Sequence, residues 1–170
     1  HILSAKLWMQ GKARIGIVRN GPRGRAEHDC QVGCSCRGRG MVAMPDMHTL
    51  RVALVDDEQD QLDLLTSYVC RFARDEGFNV ALSAFRNGFD LMAEGEQTLA
   101  GRFDLILLDI QMGDMADEDM NGITVARAIR RVDDDVRLIF VTNLEQYAIQ
   151  GYSVRAMDFI VKPLSYEQFT

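Results

Sequence analysis

Beyond residue 48 the chain alternates short, mostly apolar runs with longer stretches in which apolar residues recur every three or four positions. The short runs cover 50–55, 103–108, 136–141 and 157–161. Their length and continuity suit strands covered on both faces. A further run, 78–85, completes a set of five strands. Between the first two, Leu62, Leu65, Val69 and Phe72 mark one face of a helix over 59–74, ended by Gly77. Asn87-Gly88 opens a weaker helix over 89–99, interrupted by Gly95. Asn121 suits the N-cap of a helix over 122–131. A short helix is predicted over 144–152, and Ser165 caps a fifth that has barely begun at Thr170. Strands alternating with amphipathic helices predict an α/β fold built from βαβ units. The fifth helix reads as truncated, which is expected to leave apolar surface uncovered on its side of the sheet.

Residues 1–48 break this pattern. They hold half of the chain's 14 glycines and carry a net charge of +5, against −11 for 49–170. Arg/Gly-rich tracts around 20–25 and 36–40 bury too little apolar area to offset the entropy of ordering. This basic extension is predicted to be disordered or non-native, with the folded domain spanning 49–170. Cys30, Cys34 and Cys36 with His28 do not match a usual zinc spacing and read as unpaired thiols. The acidic body disfavours nucleic acid. No apolar run reaches the roughly 20 residues needed to span a bilayer, and a cytoplasmic protein is expected.

The chemistry sits where the apolar runs stop. Asp56 and Asp57 follow the first strand, Asp109 the third, Thr142 the fourth, and Lys162-Pro163 the fifth. In a parallel α/β sheet the carboxyl ends of the strands share one edge, where ligands bind. Three carboxylates crowded there call for a cation, and a hydroxyl and an ammonium suit an anion held beside it. The set points to magnesium-assisted phosphoryl chemistry. Mg²⁺ is a hard ion that takes carboxylate oxygens and keeps several waters. Asp57, with Asp56 directly or through water, is the expected ligand pair. Asp109 is the expected nucleophile, since an aspartate can carry a phosphoryl group as an acyl phosphate. Lys162 is a compact charge suited to pairing with Asp109 and then with phosphoryl oxygens. Thr142 is placed to donate to one of those oxygens. Taken singly, each has an ordinary alternative: Asp56 and Asp57 as helix caps, Asp109 as a turn residue, Thr142 as a β-branched strand residue, Lys162 as a surface charge.

The fragments Val55-Asp56-Asp57-Glu58, Leu107-Leu108-Asp109-Ile110-Gln111-Met112, Asn121-Gly122-Ile123, Phe140-Val141-Thr142-Asn143 and Val161-Lys162-Pro163 together resemble the CheY-like receiver domains of bacterial response regulators. The tail, with Gln146-Tyr147-Ala148, Gly151-Tyr152 and Ala156-Met157-Asp158-Phe159, is most similar to receivers of LytTR-type transcription regulators. The resemblance implies a flavodoxin-like, doubly wound five-stranded parallel sheet in the order 2-1-3-4-5. It implies a Mg²⁺ site of Asp56, Asp57, Asp109 and the backbone carbonyl of Gln111, a cis bond before Pro163, and Phe159 as the switch aromatic. It also implies a two-component phosphorelay. A sensor histidine kinase would phosphorylate Asp109, the full-length protein would form a homodimer, and DNA would be bound only through a C-terminal domain absent from this chain. Two departures stand out: Gly113 replaces a frequent Pro, and segment 113–120 is longer and more acidic than usual.

Such a domain is a phosphoacceptor and not an enzyme beyond its own phosphorylation and dephosphorylation. Two alternatives remain open: a magnesium phosphohydrolase with an aspartate nucleophile, and an unphosphorylated docking module. The first is disfavoured by Gln111, which stands where haloacid-dehalogenase-like enzymes need a second acid. The second is disfavoured by the completeness of the residue set. A mononucleotide-binding module would need a Gly-rich turn after the first strand.

Overall fold

The structure, a computed structural model, describes residues 49–93, 99–112 and 121–170. The basic extension 1–48 and the acidic segment 113–120 fall outside these residues, as does most of the second half of the helix expected over 89–99. Five strands form one sheet: β1 (Thr49–Val55), β2 (Asn79–Phe85), β3 (Leu105–Leu108), β4 (Arg137–Thr142) and β5 (Asp158–Val161). All neighbours pair in parallel, in the order β2-β1-β3-β4-β5. This is the doubly wound topology expected, with the chain reversing its direction of travel between β1 and β3.

Register decides what the sheet edge presents. Val55 lies opposite both Phe85 and Leu108, Leu108 opposite Phe140, and Thr142 opposite Val161. β1 and β3 therefore end level, and the residues that follow them emerge side by side.

The helices are α1 (Gln59–Glu76), α2 (Gly88–Met92), α3 (Gly122–Val132), α4 (Ala148–Ser153) and α5 (Tyr166–Phe169). In α1 the buried residues include Leu62, Leu65, Val69 and Phe72, as their spacing predicts. Gly77 ends the helix in the left-handed region (φ 74°), where a Cβ is disfavoured, and donates to the Ala73 carbonyl. Asn121 caps α3 by accepting from the Thr124 amide. Strand side chains alternate between faces. Val52 and Leu54 pack with α1, whereas Ala53 and Val55 belong to the cluster that holds Ile123, Ala126 and Ile129 of α3.

Three details differ from the sequence-based expectation. Within the run 103–108 the strand proper begins at Leu105, although the Asp104 amide already donates to the Arg51 carbonyl at 2.8 Å and its carboxylate accepts the Arg51 amide at 3.0 Å. The helix expected over 144–152 is split into a 3-10 turn, Glu145–Tyr147, and the short α4. The α5 side is better covered than expected. Ser165 and Gln168 form a reciprocal capping box, and Phe169 is buried against Tyr68 and Phe72, with ring centroids 5.8 and 6.3 Å away. Among the described residues the large apolar side chains open to solvent are Phe89, Ile149 and Tyr152, on α2 and α4. No helix of the described residues is long and apolar enough to cross a membrane.

Candidate functional site

The level ends of β1 and β3 bring Asp56 and Asp109 together. The Asp109 amide donates to the Val55 carbonyl at 2.9 Å, which extends the ladder one residue past the strands. The Asp56 amide does the same to Phe85 at 3.1 Å. Both carboxylates are almost fully buried, Asp56 at 1% exposure and Asp109 at 4%. Each also accepts a bond from the backbone two residues on: Asp56 from Glu58 at 3.1 Å, Asp109 from Gln111 at 3.1 Å. These Asx-type contacts fix the rotamers before any ligand arrives. Helix capping does not account for the acid pair, since the N-cap of α1 is Glu58, which makes no side-chain capping bond.

Lys162 closes the site from β5. Its backbone amide bonds the Thr142 carbonyl at 2.9 Å. Its ammonium donates to Asp56 Oδ2 and to Asp109 Oδ2, both at 2.7 Å. The pairing with Asp109 was expected; the second bond, to Asp56, was not. Burial pushes the Asp56 carboxyl above its ordinary value, although Lys162 and the Glu58 amide pull the other way. Burial also opposes the charge on Lys162, but its contacts with Asp109 and Asp56 outweigh this and hold the ammonium above its usual range. One cation shared by buried acids leaves the site with surplus negative charge.

Asp57 is half-buried and joins the group. Ligand oxygens of Asp56, Asp57 and Asp109 lie within 4.8 Å of one another, close enough for a single metal ion. Three hard, anionic oxygens with an outer carboxylate open to water fit Mg²⁺, which keeps part of its hydration shell. Gln111 follows directly in the same loop and is exposed, and Asp109 accepts its amide. Thr142 is fully buried at the end of β4, and its hydroxyl accepts the Leu144 amide at 3.4 Å. Phe159 is half-buried in β5, 6.1 Å from the Phe140 ring. The Lys162–Pro163 peptide is cis. The structure thus brings Asp56, Asp57, Asp109 and Lys162 into one cluster, with Thr142 one hydrogen bond from Lys162's backbone and Phe159 further along β5.

Arg86 was missed. Its guanidinium donates to the Asp57 carbonyl at 2.9 Å. The signal was available: Arg86 directly follows β2, so it emerges at the same sheet edge as the residues that were chosen. Gly122 was read as the start of a helix and as part of the fragment Asn121-Gly122-Ile123, not as a point of close packing. A Cβ there would stand 2.1 Å from the Asp109 carbonyl oxygen, so α3 approaches the acceptor loop more closely than any other residue allows.

Comparison with known proteins bears on the family and the fold. The chain is 30% identical over 120 residues to the sensory transduction protein LytT of Bacillus cereus, covering 70% of this chain and 44% of that protein. It is 34% identical over 68 residues to the transcriptional regulatory protein LytR of Staphylococcus aureus, covering 40% of this chain and 26% of that one. The chain therefore spans less than half the length of these curated relatives. Among solved structures, the CheX–CheY–BeF3–Mg complex from Borrelia burgdorferi matches with TM-score 0.57 and 28% identity, over 70% of this chain and 82% of that one. The BeF3-activated DrrB receiver domain matches in fold, with TM-score 0.56 and 20% identity over 71% and 90% of the two chains. The response regulator receiver domain model matches residues 52–170, which take in the second half of β1, the other four strands and all the acids of the cluster. The chain belongs to the response regulator receiver domain family.

Proposed function

We propose that residues 49–170 form the phosphoacceptor switch of a two-component system, with Asp109 as the residue phosphorylated. The observation that carries this reading is the Lys162 ammonium, held at 2.7 Å from both Asp56 and Asp109 inside a three-carboxylate cluster. A buried ion pair of this kind costs desolvation energy and is a poor way to gain stability. It suits a site that is waiting for charge.

An Asp109 carboxylate oxygen attacks the phosphorus of a phosphohistidine on a sensor kinase. The P–N bond breaks as the P–O bond forms, and the electron pair leaves with the imidazole nitrogen. Asp56, Asp57, Asp109 and the Gln111 carbonyl are the residues that would hold Mg²⁺, which when bound offsets charge on the phosphoryl oxygens. Lys162 keeps its ammonium beside Asp109 and accompanies the new phosphoryl oxygens. The Thr142 hydroxyl gives up the Leu144 amide and donates to one of those oxygens. That exchange links the site to the 3-10 turn and α4. Phe159 lies on the strand that responds, and Pro163 two residues past its end. The phosphorylated form is one of two conformations already in equilibrium, so a few kcal/mol of preference suffices to shift the population.

The partners follow from this reading: a histidine kinase as donor, a second copy of the full-length protein after phosphorylation, and DNA through an output domain of the kind the LytT and LytR relatives suggest. The compartment is the cytoplasm. The test is chemical labelling. With Mg²⁺, acetyl phosphate should add one phosphoryl group to the 170-residue chain, and Asp109→Asn should abolish it. Labelling that persists on another residue in that variant refutes the assignment.

A further inference from the structure

We infer that Tyr68 is a positioning residue for phosphoryl transfer, acting through Lys162; the inference rests on the reading of the site given above. Tyr68 lies in the third turn of α1, far in sequence from the cluster. Its hydroxyl donates to the Leu164 carbonyl at 3.1 Å. Leu164 is two residues past Lys162, in the short segment that joins β5 to α5.

Between Lys162 and Ser165, whose amide donates to Gln168 Oε1 at 2.9 Å, that segment has few directional anchors. On one side the Lys162 amide is tied to Thr142. On the other, the Leu164 side chain is buried in the cluster that also contains Phe72 and Phe169. Apolar packing sets depth but tolerates small rotations and slides. The Tyr68 hydroxyl supplies a direction. It holds the Leu164 carbonyl, and with it the path of the backbone leading to Lys162.

The ring is itself held rigid. It sits edge-on to Tyr166, with centroids 5.5 Å apart, and 5.8 Å from the Phe169 ring. Tyr166 is fastened back to α1 by its own hydroxyl, which donates to Asp75 at 2.8 Å, while the Arg71 guanidinium lies 3.8 Å above its ring. The same helix begins three residues after Asp56. One rigid element therefore fixes both the acid side and the lysine side of the site. Its hydroxyl grip on Leu164 sets the reach of Lys162 to Asp56 and Asp109. Positioning errors below 1 Å matter for reactions of this kind.

The experiment compares labelling rates with acetyl phosphate and Mg²⁺ for the wild-type chain, Tyr68→Phe, Lys162→Ala and the double variant. Tyr68→Phe keeps the ring and its contacts and removes only the hydroxyl. Mg²⁺ affinity is measured in parallel by calorimetry. The expected rate for Tyr68→Phe is about fivefold below wild type, equivalent to about 1 kcal/mol, the worth of one neutral hydrogen bond. Mg²⁺ affinity should stay unchanged, because Asp57 and the α1 N-terminus are untouched. The double variant should label no more slowly than Lys162→Ala, since a residue acting through Lys162 has nothing left to position. A wild-type rate for Tyr68→Phe overturns the inference. So does a double variant slower than Lys162→Ala by the same factor, or a parallel fall in Mg²⁺ affinity. Should Asp109→Asn label like wild type, the reading of the site fails first and the inference falls with it.

Discussion

Replacing Lys162 by Met removes the one ammonium that bridges two buried carboxylates while keeping a chain of similar length. Deleting one partner of a buried ion pair costs roughly 3–5 kcal/mol, because the remaining charge is left uncompensated. Here the lower end applies, since the half-buried Asp57 admits water beside the pair and Asp56 can take up a proton. In chelator at pH 7 the variant should be about 3 kcal/mol less stable. At a slope of about 1.5 kcal/mol per molar urea, the unfolding midpoint falls by about 2 M. Far-UV circular dichroism in urea reads this directly. Magnesium should reverse most of the loss: at a hundredfold excess over its Kd a ligand adds about 2.7 kcal/mol. The wild-type protein should gain less, because Lys162 already occupies those carboxylate oxygens. Titration has a definite sign. The raised folded pKa of Asp56 means that stability falls as pH rises from 3.8 through that value. The Lys162 contribution is whole below 10.5 and is lost as pH rises through its higher folded value. The deficit of Lys162→Met should therefore shrink as the pH falls and Asp56 takes up a proton. A variant as stable as wild type in chelator refutes the reasoning, as does an equal gain from magnesium in both proteins.

Two further substitutions probe the frame around the site. Gly122→Ala puts a Cβ 2.1 Å from the Asp109 carbonyl oxygen, so backbone must move; urea melts should show a loss of about 1–3 kcal/mol, with slower labelling of Asp109. Arg130→Met removes donors to the carbonyls of Val154, Val136, Asp133 and Arg155, at 2.8, 2.8, 3.1 and 3.3 Å. Losing hydrogen bonds from a charged group to half-buried carbonyls should cost about 2–4 kcal/mol, with Arg130→Lys recovering less than half because a lysine lacks the planar fork.

Much of the fold was legible because its signals are local. The run Leu105–Leu108 followed by Asp109 announces a strand and its exposed end in five residues. Gly77 and Asn121 mark helix boundaries through their own backbone and side-chain chemistry. What escaped depends on contacts between distant segments. Asp104 reads as one residue of the run 103–108, yet its carboxylate takes the Arg51 amide. Arg86 sits at a strand end like the residues that were singled out, but the Asp57 carbonyl it reaches lies 29 residues away in the chain. The second bond of Lys162, to Asp56, arises from the register of β1 against β3, which the apolar pattern alone does not specify. Tyr68 reads as one more member of an amphipathic face; only the path of the chain after β5 shows what its hydroxyl reaches.

The short helix α4 is moored unevenly. At its far end the Arg130 fork grips the Val154 and Arg155 carbonyls, and Arg155 turns the chain at φ 51°. At its near end, among the described residues, the hydrogen bond toward the proposed phosphoacceptor site is the 3.4 Å contact from the Leu144 amide to the Thr142 hydroxyl, beside the packing of Leu144 and Tyr147 on the sheet. A rod clamped at one tip and lightly tethered at the other behaves as a lever. In the switch proposed above, a small withdrawal of the threonine frees the tethered tip, and the arc it sweeps carries Ile149, already facing solvent, while the clamped tip, with Tyr152 beside it, stays where the fold put it.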